Sequence, residues 1–371
     1  MSLNAVNHRR VLHRMPELDD ELPDTTAYVR KVLEPLGAEV FSPIKGSVCA
    51  YFDAGAEETV ALRADMDALP VTECTGLFFA SERPGRMHAC GHDGHTAIEL
   101  GLAEETARMI RAGEKLPRNV LFVFQPAEET TGGAGRICET GVFEKYRVTR
   151  IFGLHLWPNL PEGSVWSRPG PMMARSNEVT LKVTGRSVNV SRAAEGLDAL
   201  RAGVDWMNAA YAWTEAMPPD VLRTLQFGRM TAGTVRNAVA GSAEIQGTLR
   251  TYDEDAAEMI RSHLRTLAAE TAERTGCGLE VSFSTGYPAV WNNETLFERV
   301  SRDLGADAPQ LLAEPVLAAE DFSFYQRCIP GVFFFLGVGP AHELHSLLLE
   351  RRGRDPCGHR LHEEDHGSPL E

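Results

Sequence analysis

The run NVLFVF at residues 119–124, which is apolar after its first residue, most constrains what this chain can fold into. Such a run is typical of a strand that is buried on both faces of a sheet. Further elements alternate around it, with strands predicted at 47–52, 59–64 and 150–155 and helices at 5–14, 25–36 and 94–112. We therefore predict an α/β domain with a mixed, mostly parallel sheet and helices on both faces.

The pattern changes near residue 177, where two long helices and four strands follow one another without the earlier alternation. The predicted order is strand 178–184, helix 191–215, strand 224–231, strand 243–250, helix 254–275 and strand 279–285. This β-α-β-β-α-β order is that of the ferredoxin-like α+β unit. The earlier pattern then returns, and 371 residues exceed the size of most single cores. The sequence therefore predicts two domains, with residues 177–287 inserted as one domain into another formed by 1–176 and 288–371.

The composition limits the classes of binding partner and the cellular compartment that we expect for this chain. The chain has 37 Lys and Arg against 52 Asp and Glu, a formal net charge of −15, which argues against nucleic acid and anionic membranes as partners. No apolar run approaches the roughly 20 residues that span a bilayer, and the polar N-terminus lacks the apolar core of a signal peptide. Seven cysteines, odd in number and widely spread, favour reduced thiols. We expect a cytoplasmic protein with no membrane contact.

Side chains with metal-binding or acid–base chemistry follow the predicted strands where each one ends. In chain order these are Asp65 and Asp67, then Cys90 and His92 in MHACGHDGHTA, then Glu128 and Glu129, His155, and His345 in HELHS. Because sites in open α/β sheets gather where strands end, these segments predict one convergent site.

The residue types at this edge suit a metal site. Zinc and similar divalent ions take thiolate, imidazole and carboxylate ligands. A mixed S/N/O ligand set for a two-metal hydrolytic site would consist of Cys90, His92, Glu129, His155 and His345. Glu128 would then serve as general base, and Asp67 would orient a ligand imidazole.

Each of these groups, taken alone, also has an ordinary structural explanation. His155 would be a satisfied core histidine, Glu128 part of a solvated helix start, and Asp67 a turn cap. A nucleophile pair of Cys90 and His92 is the rival chemistry. However, GHDGH predicts the start of a helix, on which residues two apart do not face each other. His88 and His95 stay ambiguous between structural and supporting roles.

Taken together, several stretches resemble the amidohydrolase branch of the M20 metallopeptidases, which includes hippurate hydrolases, indole-acetyl-amino-acid hydrolases and N-acetyldiaminopimelate deacetylases. The matching stretches are HRRVLHRMPEL, ALRADMDALPVTE, GRMHACGHDGHTA, FQPAEETTGGA, GLHLWP, GTVRNAVAGSAEIQGTLRTYD, AEDFSFY and FFFLGVG. The resemblance implies a hydrolase with two divalent metal ions that cleaves the amide bond of N-acyl amino acids. It also implies a catalytic domain with an inserted lid domain through which the protein forms a homodimer.

Carried over by position, the resemblance makes Cys90 the ligand that bridges the two metals. His92, Glu129, His155 and His345 are the remaining ligands, and Glu128 is the general base. In the lid domain, Asn237 and Arg250 match substrate-binding positions. The metals implied are zinc or manganese, with nickel and cobalt as further candidates.

Two features depart from the family pattern. The family's lid carries a histidine that supports the oxyanion, whereas this chain has Asn189 in GRSVNV, whose amide can donate a hydrogen bond but cannot carry positive charge. After His345, the tail LLLERRGRDPCGHRLHEEDHGSPLE lacks the family's proline and final amphipathic helix. These departures leave an alternative open, namely a catalytically impaired member that binds metal or a small molecule without efficient turnover.

Overall fold

The computed structural model describes residues 3–339 of the chain. From the N-terminus to residue 173, its helices and strands are α1 (Leu3–Arg14), α2 (Pro23–Leu33), β1 (Glu39–Phe41), β2 (Val48–Phe52), β3 (Thr59–Asp65), α3 (His92–Arg111), β4 (Asn119–Gln125), α4 (Gly133–Cys138), α5 (Val142–Lys145), β5 (Val148–Trp157), β6 (Val165–Ser167) and β7 (Gly170–Met173). The remaining elements are β8 (Arg175–Thr184), α6 (Ala199–Glu215), β9 (Arg223–Ala232), β10 (Ser242–Thr251), α7 (Glu254–Thr275), β11 (Gly278–Phe283), β12 (Val290–Asn292), α8 (Glu294–Leu304), β13 (Gln310–Leu311), α9 (Ser323–Cys328) and β14 (Gly331–Gly337).

The larger sheet has eight strands in the order β1-β2-β4-β3-β5-β14-β6-β13. Its centre is parallel, because β3 pairs in parallel with both β4 and β5, and β5 pairs in parallel with β14. Strand β2 is antiparallel to both β1 and β4, and β6 is antiparallel to β14 but parallel to the edge strand β13. The predicted α/β fold with a mixed sheet is confirmed. Because the central strands run the same way, their carboxyl ends lie at one edge of the sheet.

Strand β4 shows why this sheet needs cover on both faces. Phe122 and Phe124 pack in one core cluster with Leu12 of α1 and Leu100 of α3. The alternate residues of the strand, which point to the opposite face, are also fully buried. A strand that is buried at every position and apolar from Val120 to Phe124 is stable only where helices or loops cover both of its sides.

The smaller sheet has four antiparallel strands in the order β11-β8-β10-β9, with the chain order β8-α6-β9-β10-α7-β11. This is the predicted order of the ferredoxin-like unit. Helices α6 and α7 cover one face, and Trp206 lies at the centre of their shared core with none of its surface exposed. Its indole N–H donates to the carbonyl of Leu264 at 3.1 Å, which satisfies the buried donor.

The helix predicted at 191–215 begins later than expected. Residues 190–195 form a short 3-10 segment, and Gly196 is extended. Helix α6 begins at Ala199, where the carboxylate of Asp198 accepts the backbone N–H of Arg201 at 3.1 Å. A side-chain acceptor at this position caps a helix, so Asp198 fixes the true start. The apolar pattern alone does not show this boundary.

The described residues form two compact units. One comprises 3–170, 291–313 and 324–339, and the other comprises 171–290 and 314–323. The predicted assignment of residues 177–287 as a lid and dimerisation domain is a functional statement, and it stays a prediction. Within the described part of the chain, no helix combines the length and apolar character that a bilayer crossing requires.

Candidate metal centre

The segment MHACGHDGHTA folds as a loop that turns sharply into α3. Gly91 adopts a left-handed conformation with φ of +87°, and the helix begins at His92, within GHDGH but two residues before the predicted 94. A Cβ atom on Gly94 would lie 2.6 Å from Leu156 Cδ1, so the first turn of α3 packs closely against the end of β5. The two glycines therefore allow the helix start to approach the carboxyl edge of the sheet.

Glu129 comes together at this edge with Cys90 and His92, although it lies more than 30 residues further along the chain. Their ligand atoms all lie within 4.8 Å of one another. His92 is buried, with Nε2 3.7 Å from Asp65 Oδ2 and 3.9 Å from Glu129 Oε1, and Nδ1 3.7 Å from Asp67 Oδ1. Thiolate, imidazole and carboxylate groups at such spacing match the donor set that zinc and related ions take.

The surroundings of His92 test whether a metal fits. Both of its ring nitrogens are buried and, among residues 3–339, neither has a hydrogen-bond partner. A buried polar atom without a partner costs free energy, which a bound cation would recover at the lone pair of one nitrogen. Burial lowers the pKa of His92, but the carboxylates of Asp65, Asp67 and Glu129 raise it to about 10. The acidic surroundings that hold a proton there equally favour a divalent ion.

The neighbours Glu128 and Glu129 are held by a turn after β4. Ala127 has a φ of +61°, an uncommon left-handed conformation for a residue with a side chain. The backbone N–H groups of Glu128 and Glu129 donate to the two oxygens of Asp67 at 2.9 and 3.0 Å. Glu128 is buried, with 7% of its surface exposed. Asp67 thus fixes the backbone from which both glutamates project.

His95 lies one helical turn beyond His92 and is also close to Asp65, so that these three residues form a second group with ligand atoms within 4.8 Å. Its Nδ1 lies 2.6 Å from Asp65 Oδ1, and its Nε2 accepts the backbone N–H of Leu156 at 2.9 Å. Because an amide N–H can only donate, Nδ1 carries the imidazole proton and donates to Asp65. Both nitrogens of His95 are therefore committed, and we assign it no ligand role.

Asp65 is ionised at the bottom of the site. Burial would raise the pKa of this carboxyl, but His92, Arg63 and His95 lower it well below its usual range. Arg63 Nη1 donates to Asp65 Oδ2 at 2.8 Å, and both side chains are completely buried. A buried carboxylate needs such a partner, because removing a charge from water is costly.

His155 lies on β5, which continues two residues further than predicted, to Trp157. Its Nδ1 donates to the carbonyl of Leu156 at 2.6 Å, which leaves the lone pair of the neutral ring on Nε2. The His155 ring centroid is 6.2 Å from that of His92 and 4.6 Å from that of His95. The structure thus brings the ends of β3, β4 and β5 and the start of α3 together around His92.

The remaining predicted site residues belong to the second unit or to the part of the chain beyond residue 339. Asn189 and Asn237 are exposed in the second unit, where the backbone N–H of Val190 donates to the Asn237 carbonyl at 3.1 Å. The Asn189 Oδ1 atom accepts the N–H and the hydroxyl of Ser191 at 3.0 and 2.9 Å. Arg250 is half-buried on β10. His345 and the divergent tail lie outside the described residues.

Two residues that support the site, Arg63 and Gln125, were not predicted from the sequence. Arg63 Nε donates to Gln125 Oε1 at 2.8 Å, and the Tyr325 hydroxyl donates to the same oxygen at 3.0 Å. Arg63 was visible as the one charged residue within the apolar strand TVALRA. A charge inside a buried strand requires a partner, which here is Asp65, two residues further on the same strand face.

The chain is similar in sequence and in fold to members of one peptidase family. Residues 61–350 match the model of peptidase family M20/M25/M40. An uncharacterized hydrolase of Staphylococcus haemolyticus is 34% identical over 338 residues, which cover 90% of this chain and 88% of that protein. A Staphylococcus aureus structure has a TM-score of 0.84 at 31% identity, over 90% of this chain and 88% of that one.

A second similar structure is that of a metal-binding peptidase. It comes from Bacillus subtilis, is called a dinuclear metal binding peptidase from the M20 family, and has a TM-score of 0.76 at 32% identity over 90% of this chain and 88% of that chain. The aminobenzoyl-glutamate utilization protein of Klebsiella pneumoniae shares the fold, with a TM-score of 0.65 at 21% identity over 92% of this chain and 91% of that one. The resemblance to M20 metallopeptidases is therefore confirmed: this chain belongs to peptidase family M20/M25/M40 and is a metal-dependent hydrolase of that family.

Proposed function

We propose that this protein is an amidohydrolase with two divalent metal ions that cleaves the linear amide bond of N-acyl amino acids. The observation that carries the proposal is the cluster of Cys90, His92 and Glu129, whose ligand atoms lie within 4.8 Å of one another. His92, with two buried ring nitrogens that lack hydrogen-bond partners in the described chain, stands at its centre. The family resemblance supplies the substrate class.

In this proposal the metal ions would be held by Cys90, His92, Glu129, His155 and His345, the last from outside the described residues. Their mixed sulfur, nitrogen and oxygen donors suit zinc or manganese, with nickel and cobalt as further candidates. When bound, such ions polarise the amide carbonyl and make a water molecule more acidic. The acidic surroundings of His92 keep the site attractive to cations.

Glu128 is the proposed general base, a role that needs a carboxylate next to the ligands but not engaged as one. It takes a proton from the water whose oxygen attacks the carbonyl carbon of the substrate. As the C–N bond breaks, Glu128 passes that proton to the leaving nitrogen, and the products are a carboxylate and a free amino acid. Asp67 holds the Glu128 backbone through a 2.9 Å hydrogen bond, which positions the carboxylate for both transfers.

The second unit would supply substrate-binding groups. Because the Asn189 Oδ1 atom accepts hydrogen bonds from Ser191, its amide NH₂ is the group that can donate to a substrate oxygen. Asn237 and Arg250 are the other proposed substrate-binding residues. The Asn237 carbonyl accepts the backbone N–H of Val190, the residue next to Asn189. We also propose that this unit acts as the lid and forms the interface of a homodimer, in a cytoplasmic protein.

Asn189 also favours a second candidate function, that of a family member with impaired catalysis. A neutral amide stabilises developing negative charge less than a cationic imidazole does. A protein with an intact metal cluster and a weakened oxyanion contact would bind metal and small molecules but turn them over slowly.

One experiment separates these possibilities. Metal content of the purified protein is measured beside amine release from acetyl-, benzoyl- and indoleacetyl-amino acids. Hydrolysis that a chelator abolishes and that manganese or zinc restores supports the proposal. Bound metal without turnover of any substrate supports the impaired member. Inactivation by a thiol reagent with no effect of chelator would instead support Cys90 as a nucleophile.

A further inference from the structure

We propose that His95 is a positioning residue that ties Asp65 to the backbone of β5 and thereby sets the place of His155 at the metal centre. The inference rests on the proposed function only in taking His92 and His155 as ligands. Its observations are two hydrogen bonds, to Asp65 Oδ1 at 2.6 Å and from the Leu156 N–H at 2.9 Å, on a ring that is 2% exposed.

The pairing of β5 shows why such a tie is needed. Strand β3 pairs with β5 only as far as Arg63 opposite Gly153, whereas β14 continues alongside β5 to Trp157. The last four residues of β5 therefore have a strand neighbour on one side only. The Leu156 N–H would lack a strand carbonyl on the other side, and the imidazole of His95 accepts it instead.

The two hydrogen bonds that run from Asp65 through His95 to Leu156 form a bridge, and its Asp65 end is fixed by further hydrogen bonds. Asp65 Oδ2 accepts the Arg63 guanidinium at 2.8 Å, and the Asp65 carbonyl accepts the hydroxyl of Thr96 at 2.9 Å. All three side chains are buried. A ring held on one side by a fixed carboxylate and on the other by a backbone amide has one orientation and one tautomer.

Close packing transmits this position to His155. The His95 and His155 rings meet edge to face at 4.6 Å between centroids. Gly94 allows α3 to contact Leu156 so closely that a Cβ atom there would lie 2.6 Å from Leu156 Cδ1. Because Leu156 follows His155 directly, a displacement of its N–H moves the backbone of the ligand residue.

The test compares two substitutions that each keep half of the bridge. His95→Gln places an amide oxygen near the position of Nε2 and retains an acceptor for the Leu156 N–H. His95→Asn keeps a donor for Asp65 but is too short to reach Leu156. His8→Gln is the matched control, because His8 is a buried histidine of the same unit whose Nδ1 bonds to Tyr28 at 2.8 Å, away from the site.

Cobalt(II) is titrated into each metal-free full-length protein, with stoichiometry from elemental analysis and ligand geometry from the visible absorption spectrum. We expect His95→Asn to bind the weaker of two cobalt ions about 10–100-fold less tightly, with an altered spectrum, while His95→Gln stays closer to the wild type. His8→Gln should match the wild type. If His95→Asn does not fold, Leu156→Pro replaces it, since proline removes the same N–H and leaves His95 in place.

Three results would overturn the inference. Equal cobalt affinity and spectra in the wild type and His95→Asn, with only the unfolding temperature lowered, would make His95 purely structural. A loss in His95→Gln larger than that in His95→Asn would show that the bond to Asp65, and not the bond to Leu156, controls the metal centre. A wild-type protein that binds no cobalt would instead refute the proposed metal centre, so the two failures are distinguishable.

Discussion

Asp67 holds Glu128 through the backbone: its carboxylate accepts the N–H of Glu128 at 2.9 Å and, with its other oxygen, that of Glu129 at 3.0 Å. One side chain after β3 thus fixes two adjacent residues after β4. The left-handed conformation of Ala127 turns the chain immediately before them. Adjacent side chains normally diverge, so this arrangement is what allows a proposed base and a proposed ligand to follow one another in sequence.

Replacing Asp67 by Asn should therefore weaken both roles. An amide has one acceptor oxygen, so one of the two backbone N–H groups would face an NH₂ group instead. We expect metal affinity or kcat to fall about 10–100-fold, as supporting residues of metal sites typically show. Asp53→Asn is the control, because Asp53 accepts the N–H of Gly55 at 2.8 Å in an exposed loop. Equal kinetics and metal content in Asp67→Asn and the wild type would contradict this role.

The adjacent glutamates should separate in a paired substitution. Glu128→Gln removes the proton acceptor with little change in shape, and we expect kcat to fall about 10²–10⁴-fold with metal content unchanged. Glu129→Gln should instead reduce bound metal, because a neutral amide is a poorer ligand than a carboxylate. The measurement is elemental analysis beside steady-state kinetics. If Glu128→Gln loses metal and Glu129→Gln does not, the two roles are reversed.

Asn189→His should raise kcat. A protonated imidazole at this position offers a charged donor, which stabilises developing negative charge more than the neutral amide does. The helix-capping bonds to Ser191 would be lost, at a cost of about 1 kcal/mol in local stability. The kcat of Asn189→His is compared with that of the wild type at equal metal content, and Asn237 is kept in both proteins. An unchanged or lower kcat would count against a catalytic contribution from residue 189.

Glu99 predicts a pH dependence of stability. Burial raises the pKa of its carboxyl well above the usual range, and the Val123 N–H and Arg63 offset this only in part. An unfolded glutamate ionises near pH 4.3, so the folded state loses relative stability as the pH rises from there toward the raised folded pKa. Glu99→Gln does not titrate, and its Oε1 can still accept the Val123 N–H.

We therefore expect Glu99→Gln to unfold at a higher temperature than the wild type at pH 7, by about 2–4 °C for each kcal/mol gained. The difference should shrink as the pH falls through about 4.3, below which the carboxyl of the unfolded wild-type chain is protonated as well. Thermal unfolding by circular dichroism across this range measures it. The exposed Glu57→Gln variant provides the control. A difference that grows as the pH falls would show that Glu99 is ionised in the core.

Local patterns predicted much of this protein. The run NVLFVF became the fully buried β4, and GHDGH became the start of α3, because both depend on residues close in sequence. The start of α6 was misplaced, since the capping bond of Asp198 is invisible to apolar periodicity. Gln125 was missed because its partners, Arg63 and Tyr325, come from other elements of the fold, whereas the pairing of Arg63 with Asp65 is local and was open to prediction.

The sequence by itself determined the family, the alternation of strands and helices, and the set of residues with metal-binding chemistry, since these follow from residue types and short spacings. Only the tertiary structure decided how they are used. It committed both nitrogens of His95 to Asp65 and Leu156, and it turned Asp67 toward the backbone of Glu128. These hydrogen bonds join residues 30 to 61 positions apart, so they depend on how β3, β4 and β5 are aligned, and no local pattern encodes that alignment.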